Sequence, residues 1–166
     1  MLKKMLKYTE TLVGFSEVPE EITLCINISG CGIHCEGCHS PHLWNDIGEE
    51  LKPVVLSDLI AKNQGITCIA FMGGDAEPDT IVKLAKWVKK NTELKVCWYS
   101  GRTRENFHQD KELMSVLDYI KIGPYKKELG GLDNPNTNQR FYKITTSVSS
   151  SLINIEDITP KFRKNK

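Results

Sequence analysis

Short apolar runs, each halted by glycine or serine and separated by stretches of helical period, constrain the fold of this chain more than any other feature. Ile22, Leu24, Ile26 and Ile28 alternate with Thr23, Cys25 and Asn27, a period of two that predicts a strand over residues 21–28. Ser57 is placed to cap a short helix closing near Gly65, and the run Cys68 to Met72 then reads as a strand buried on both faces. Gly73 and Gly74 stop it. From Pro78 onward, Ile81, Leu84, Ala85 and Val88 follow helical spacing, with Lys86, Lys89 and Lys90 toward the C-terminal end. A third run, Val96 to Tyr99, ends at Ser100-Gly101, a polar helix-prone segment follows, and Tyr119 to Ile122 precedes Gly123-Pro124. Strands alternating with helices predict an α/β fold with a parallel sheet and right-handed crossovers, in which ligands gather at the C-terminal ends of the strands. Residues 130–150, rich in Gly, Asn, Ser and Thr, read as loop. Residues 155–166, whose last six carry four positive charges, read as a frayed tail of one domain spanning 1–166.

Charge and hydropathy exclude several functions. Lys plus Arg number 22 against 21 for Asp plus Glu, so the basic excess that nucleic-acid binding requires is missing. The apolar runs are too short to cross a bilayer, and the first residues lack the apolar stretch of a signal peptide. The expectation is a cytoplasmic protein that needs neither nucleic acid nor membrane. In that reducing compartment the six cysteines do not read as disulfides. They divide instead: Cys25, Cys68 and Cys97 sit inside apolar stretches as small core residues, whereas Cys31, Cys35 and Cys38 crowd into eight positions.

Three thiols spaced four and three apart on a loop suit a soft metal centre, either iron-sulfur, zinc or cuprous copper. Zinc would need a fourth ligand, which His34, His39 or His42 could supply, and so a noncatalytic zinc-binding module is a rival reading. No second cysteine pair at zinc-ribbon spacing is present. Gly30, Gly32 and Gly37 surround the thiols, and glycines let backbone approach a bulky cluster.

The Cys31, Cys35, Cys38 spacing resembles the signature of the radical S-adenosylmethionine superfamily. The resemblance implies a 4Fe-4S cluster held by three cysteines, its fourth iron open to the amino and carboxylate groups of S-adenosyl-L-methionine. Phe71-Met72-Gly73-Gly74-Asp75 resembles the glycine-glycine-acid turn that receives the methionine ammonium group in that superfamily. Ser100-Gly101 is placed like the third-strand end that contacts the cofactor. Within the superfamily the chain is similar to the activating proteins of anaerobic ribonucleoside-triphosphate reductase. The features shared with them are Gly37 before the third cysteine, Trp44 beyond it, the segment Asp118 to Tyr125, and Asn138-Gln139-Arg140. Ile122 and the inserted Ala76 depart from the pattern.

That resemblance implies a partial TIM-like barrel, with helices on the outer face of a parallel sheet. It implies an oxidoreductase that places a glycyl radical on the reductase, fed by a low-potential electron donor such as flavodoxin or ferredoxin, with His39, His42 and Trp44 lining the entry. Activation of another glycyl radical enzyme, of the pyruvate formate-lyase type, is the rival within the same chemistry.

Overall fold

The computed structural model describes residues 5–163. The predicted strands form as β2 (Thr23–Ile28), β4 (Cys68–Met72), β5 (Lys95–Tyr99) and β6 (Tyr119–Ile122), and they pair in parallel in that order. Between them run α1 (Pro53–Lys62), α2 (Pro78–Asn91) and the shorter α3 (Lys111–Val116). α1 starts earlier than Ser57 because Pro53, with its fixed φ and missing N–H, occupies the first turn. α2 begins on Pro78 and carries Lys89 and Lys90 in its last turn, where cations oppose the helix dipole.

The sheet is mixed, not purely parallel. β1 (Lys7–Gly14) pairs antiparallel with β2, and β3 (Glu49–Glu50) lies outside it. On the other side, β7 (Arg140–Thr146) and β8 (Ile153–Asp157) continue antiparallel from β6. Among the described residues, eight strands form one open sheet, in the order β3-β1-β2-β4-β5-β6-β7-β8. β7 therefore crosses a segment expected to be loop, and β8 opens the segment expected to be tail. That segment is anchored beyond β8 as well. Ile158 and Thr159 are buried, the Thr159 hydroxyl accepts from the Phe141 amide at 2.8 Å, and Phe162 packs on Phe141 with ring centroids 4.8 Å apart. Lys164 and Lys166, part of the expected tail, fall outside the described residues.

Alternation across the parallel strands divides the sheet into two faces. Ile26, Phe71, Trp98 and Ile120 lie in register on one face, and all three helices pack there through Leu56, Ile81, Leu84, Val88 and Met114. Each such fully buried aliphatic contributes roughly 1.5–3 kcal/mol of transfer free energy. Cys25, Ala70, Cys97 and Tyr119 lie in register on the other face. Among the described residues no α-helix covers that face; Val18, Phe141, Ile158 and Phe162 pack on it instead. No helix among the described residues is long and apolar enough to cross a membrane.

Candidate metal centre

The loop after β2 holds the three clustered cysteines at the C-terminal end of the parallel strands. Its entry is pinned by two backbone bonds, Gly30 N–H to the Asn45 carbonyl at 3.0 Å and Cys31 N–H to that of Leu43 at 2.9 Å. Cys38 donates its amide to the Cys35 carbonyl, and the Ser40 amide reaches the Cys38 sulfur at 3.4 Å. Gly37 has φ +74°, and a Cβ there would lie 3.4 Å from Tyr125. The position before the third cysteine thus suits glycine, because the turn after β6 packs on it.

Cys31, Cys35 and Cys38 are half-buried. The other three thiols are buried against the sheet, where desolvation pushes Cys25 up to about 12 and raises Cys68 and Cys97 as well. They stay protonated and out of reach, which leaves the half-buried loop cysteines as the accessible sulfur ligands. Among the described residues no three Cys, His, Asp or Glu side chains meet at one point as a single ion would require. A cubane asks for something different, since each iron takes its own thiolate and the sulfurs stand around a body. The histidines considered as a fourth zinc ligand have other neighbours: His34 stacks on Trp44 at 4.7 Å, His39 tilts against Tyr125, and His42 Nε2 lies 3.1 Å from the Glu10 carboxylate. Of the expected entry residues, only His39 therefore borders the cavity described below. The donor set fits an iron-sulfur cluster better than a four-ligand zinc site.

The other expected site residues gather beside this loop. Gly73 and Gly74, at φ +109° and +93°, turn the chain off β4, and Ile33 of the cysteine loop lies over Gly101. Asp75 and Ser100 come together, but not as free contacts for a ligand. The Asp75 carboxylate accepts from Ser100 Oγ at 2.5 Å, from Gly101 N–H at 2.8 Å and from Arg104 at 3.0 Å. Both residues are buried behind the rim. The adjoining cavity, about 760 Å3, is lined instead by Cys38, Met72, Tyr99, Lys121, Tyr125 and Gln139 among others.

Sequence reasoning missed Arg104 and Lys121. Arg104 follows Ser100 by one helical turn's worth of residues, a spacing that offers little signal in a polar loop. Lys121 stood within the Asp118 to Tyr125 segment, at an inward strand position where a lysine is conspicuous. Its ammonium is buried, donates to the carbonyls of Ser100 and Gly123 at 3.3 and 2.8 Å, and is pushed down to about 8 by desolvation, against the opposing pull of Cys35, Asp75 and Cys31. Asn138-Gln139-Arg140 serves the same edge: the Asn138 amide donates to the Pro124 carbonyl at 3.0 Å and Gln139 reaches that of Gly123. Ile122 points into the helix-side core.

A parallel core with a three-thiol loop at the C-terminal ends of its strands suits a small iron-sulfur protein, and comparison with known proteins agrees. Residues 21–142 match the 4Fe-4S single cluster domain, and the chain belongs to that family. Among curated proteins it is similar to the anaerobic ribonucleoside-triphosphate reductase-activating protein of Enterobacteria phage T4, at 30% identity over 134 residues covering 73% of this chain and 83% of that one. No solved structure matches the chain.

Proposed function

We propose that this chain is a radical S-adenosylmethionine activase that installs a glycyl radical on anaerobic ribonucleoside-triphosphate reductase. The observation that carries the reading is the meeting, on one rim, of the cysteine loop with the β4 and β5 ends, where Ile33 lies over Gly101. Cys31, Cys35 and Cys38 would hold the cluster, and Gly73, Gly74, Asp75 and Ser100 would form the S-adenosylmethionine side of the site. A cluster held there would supply the electron for reductive cleavage of S-adenosylmethionine to methionine and a 5'-deoxyadenosyl radical, and that radical would take a hydrogen atom from a glycine of the reductase to give 5'-deoxyadenosine. The chain's own groups orient the cofactor and keep water from the reacting atoms. Lys121, buried beside the thiols, offsets part of the negative charge that three thiolates bring to the rim. In this reading the open sheet is part of a TIM-like barrel, and its missing side admits a protein loop. The setting is the cytoplasm, with flavodoxin or ferredoxin as electron donor.

Anaerobic reconstitution with iron and sulfide tests the chemistry. The expected result is a brown protein that forms 5'-deoxyadenosine and methionine on reduction, and that yields a glycyl radical signal when mixed with the reductase. A colourless protein that binds zinc and cleaves nothing overturns the reading. Transfer of the radical to pyruvate formate-lyase and not to the reductase overturns the choice of partner.

A further inference from the structure

The Asp75 carboxylate, the obvious group to receive an ammonium ion, has its charge already met. Arg104 bonds it through Nη2 at 3.0 Å while its Nε donates to Ser100 Oγ at 2.8 Å, and the Asp75 side chain is only 5% exposed. The same guanidinium lies 4.3 Å from the centroid of the Trp98 ring, and the Trp98 indole N–H donates to the Gly73 carbonyl at 2.8 Å. Both ends of the Gly73-Gly74-Asp75 turn are thus tied to one side chain, Asp75 directly and Gly73 through Trp98. Arginine suits this task, because its planar fork can bond two acceptors while its face stacks on an indole.

We propose that Arg104 is a positioning residue for the S-adenosylmethionine site: it locks the Gly73-Gly74-Asp75 turn through Asp75 and Trp98, so that the ligand meets the turn's backbone and not the carboxylate. The proposal rests on the reading of the rim as an S-adenosylmethionine site. It makes Asp75 and Ser100 supports of the turn, in keeping with their burial and with the bonds that already occupy the carboxylate.

Equilibrium binding of S-adenosylmethionine to the anaerobically reconstituted protein tests it, with iron content and thermal midpoint measured on each variant. Arg104→Met should weaken binding roughly tenfold, the scale of a lost charge-assisted hydrogen bond, with iron content unchanged. Arg104→Lys, which keeps the charge but not the fork, should recover part of the loss. Asp75→Asn should weaken binding by a similar factor, and the double variant by no more than either single one, since both break one linkage. Losses that multiply in the double variant place Arg104 or Asp75 in direct contact with the ligand and overturn the proposal, as does Arg104→Met binding at wild-type strength. If Arg104→Met does not fold, Arg104→Lys paired with Asp75→Asn gives the same cycle. A wild-type protein that holds iron and binds no S-adenosylmethionine overturns the underlying reading instead.

Discussion

The indole N–H of Trp98 donates to the carbonyl oxygen of Gly73 across 2.8 Å, joining the C-terminal end of β5 to the turn that leaves β4. Trp98 is fully buried and lies in register with Phe71 and Ile120 on the helix-covered face. One side chain therefore serves the core and the rim together. Trp98→Phe would keep much of the apolar contact but leave the Gly73 carbonyl unpaired and a void beside it. Urea unfolding of the cluster-free protein should show a loss of about 2–3 kcal/mol, the sum of a missing hydrogen bond and a small cavity. A change below roughly 0.5 kcal/mol would mean that the bond does not matter to the fold.

The two cysteine groups should respond differently to single replacement by alanine. After reconstitution, Cys31→Ala, Cys35→Ala and Cys38→Ala should each lose the visible absorbance and most of the iron, because the loop carries the accessible sulfur ligands. Cys25→Ala, Cys68→Ala and Cys97→Ala remove buried sulfur from the smaller core on the other face of the sheet. They should retain iron and lose about 1 kcal/mol of stability each. Iron analysis on all six variants checks the division, and loss of iron from any of the second group sinks it.

The parallel core was legible in the sequence because each central strand is a run of apolar residues closed by glycine or serine, as at Met72-Gly73 and Tyr99-Ser100. β1 and β7 were not. β1 alternates half-buried with exposed residues and leaves Leu12 open to solvent, and β7 carries Arg140, Lys143 and two threonines among its apolar positions. Their stability comes from pairing with a neighbour far away in sequence, which composition does not reveal. The same holds for the site. Cys31, Cys35, Cys38, Gly73, Gly74, Asp75 and Ser100 could be named from local pattern, but the engagement of Asp75 by Arg104 is a contact across 29 residues.

Gly74 and Gly32 offer a paired test of backbone constraint. Gly74 has φ +93°, and a Cβ there would come within 2.7 Å of Ile81 at the buried side of α2. Gly74→Ala should cost about 1–3 kcal/mol through left-handed strain and displacement of Ile81. At Gly32 a Cβ would meet nothing within 4 Å. Gly32→Ala should therefore fall within about 0.5 kcal/mol of wild type. Chemical denaturation of both cluster-free variants makes the comparison, and equal losses would contradict it.

Acid stability should depend on Glu21, at the opposite end of the sheet from the cysteine loop. Burial alone would raise its carboxyl, but hydrogen bonds from Lys95 at 2.6 Å, Thr67 at 2.6 Å and Tyr119 at 2.9 Å outweigh that and hold it below the ordinary 4.5. A lowered folded value means that the contribution is present above the unfolded value and is lost as the pH falls past it. Stability of the wild type should therefore decline from about pH 5 downward, and Glu21→Gln, less stable by about 1–2 kcal/mol at neutral pH, should show a flatter decline over that range. Parallel acid profiles of the two proteins would refute this.

The buried thiols make the opposite prediction at high pH. Desolvation, with a smaller contribution from Glu17, lifts Cys25 from the ordinary 9.0 to about 12, and burial raises Cys68 and Cys97 in the same direction. A raised folded value means that the unfolded chain ionises first. The contribution is then complete below about pH 9 and drains away as the pH rises toward the folded values. Folding free energy should fall above pH 9, and it should fall less steeply in a Cys25→Ala, Cys97→Ala double variant. The same burial predicts that cluster-free folded protein at pH 8 exposes the three loop thiols to a chromogenic disulfide and releases the remaining three only on unfolding. Immediate reaction of all six would show that the core packed by Val18, Phe141 and Ile158 opens to solvent down to Cys97.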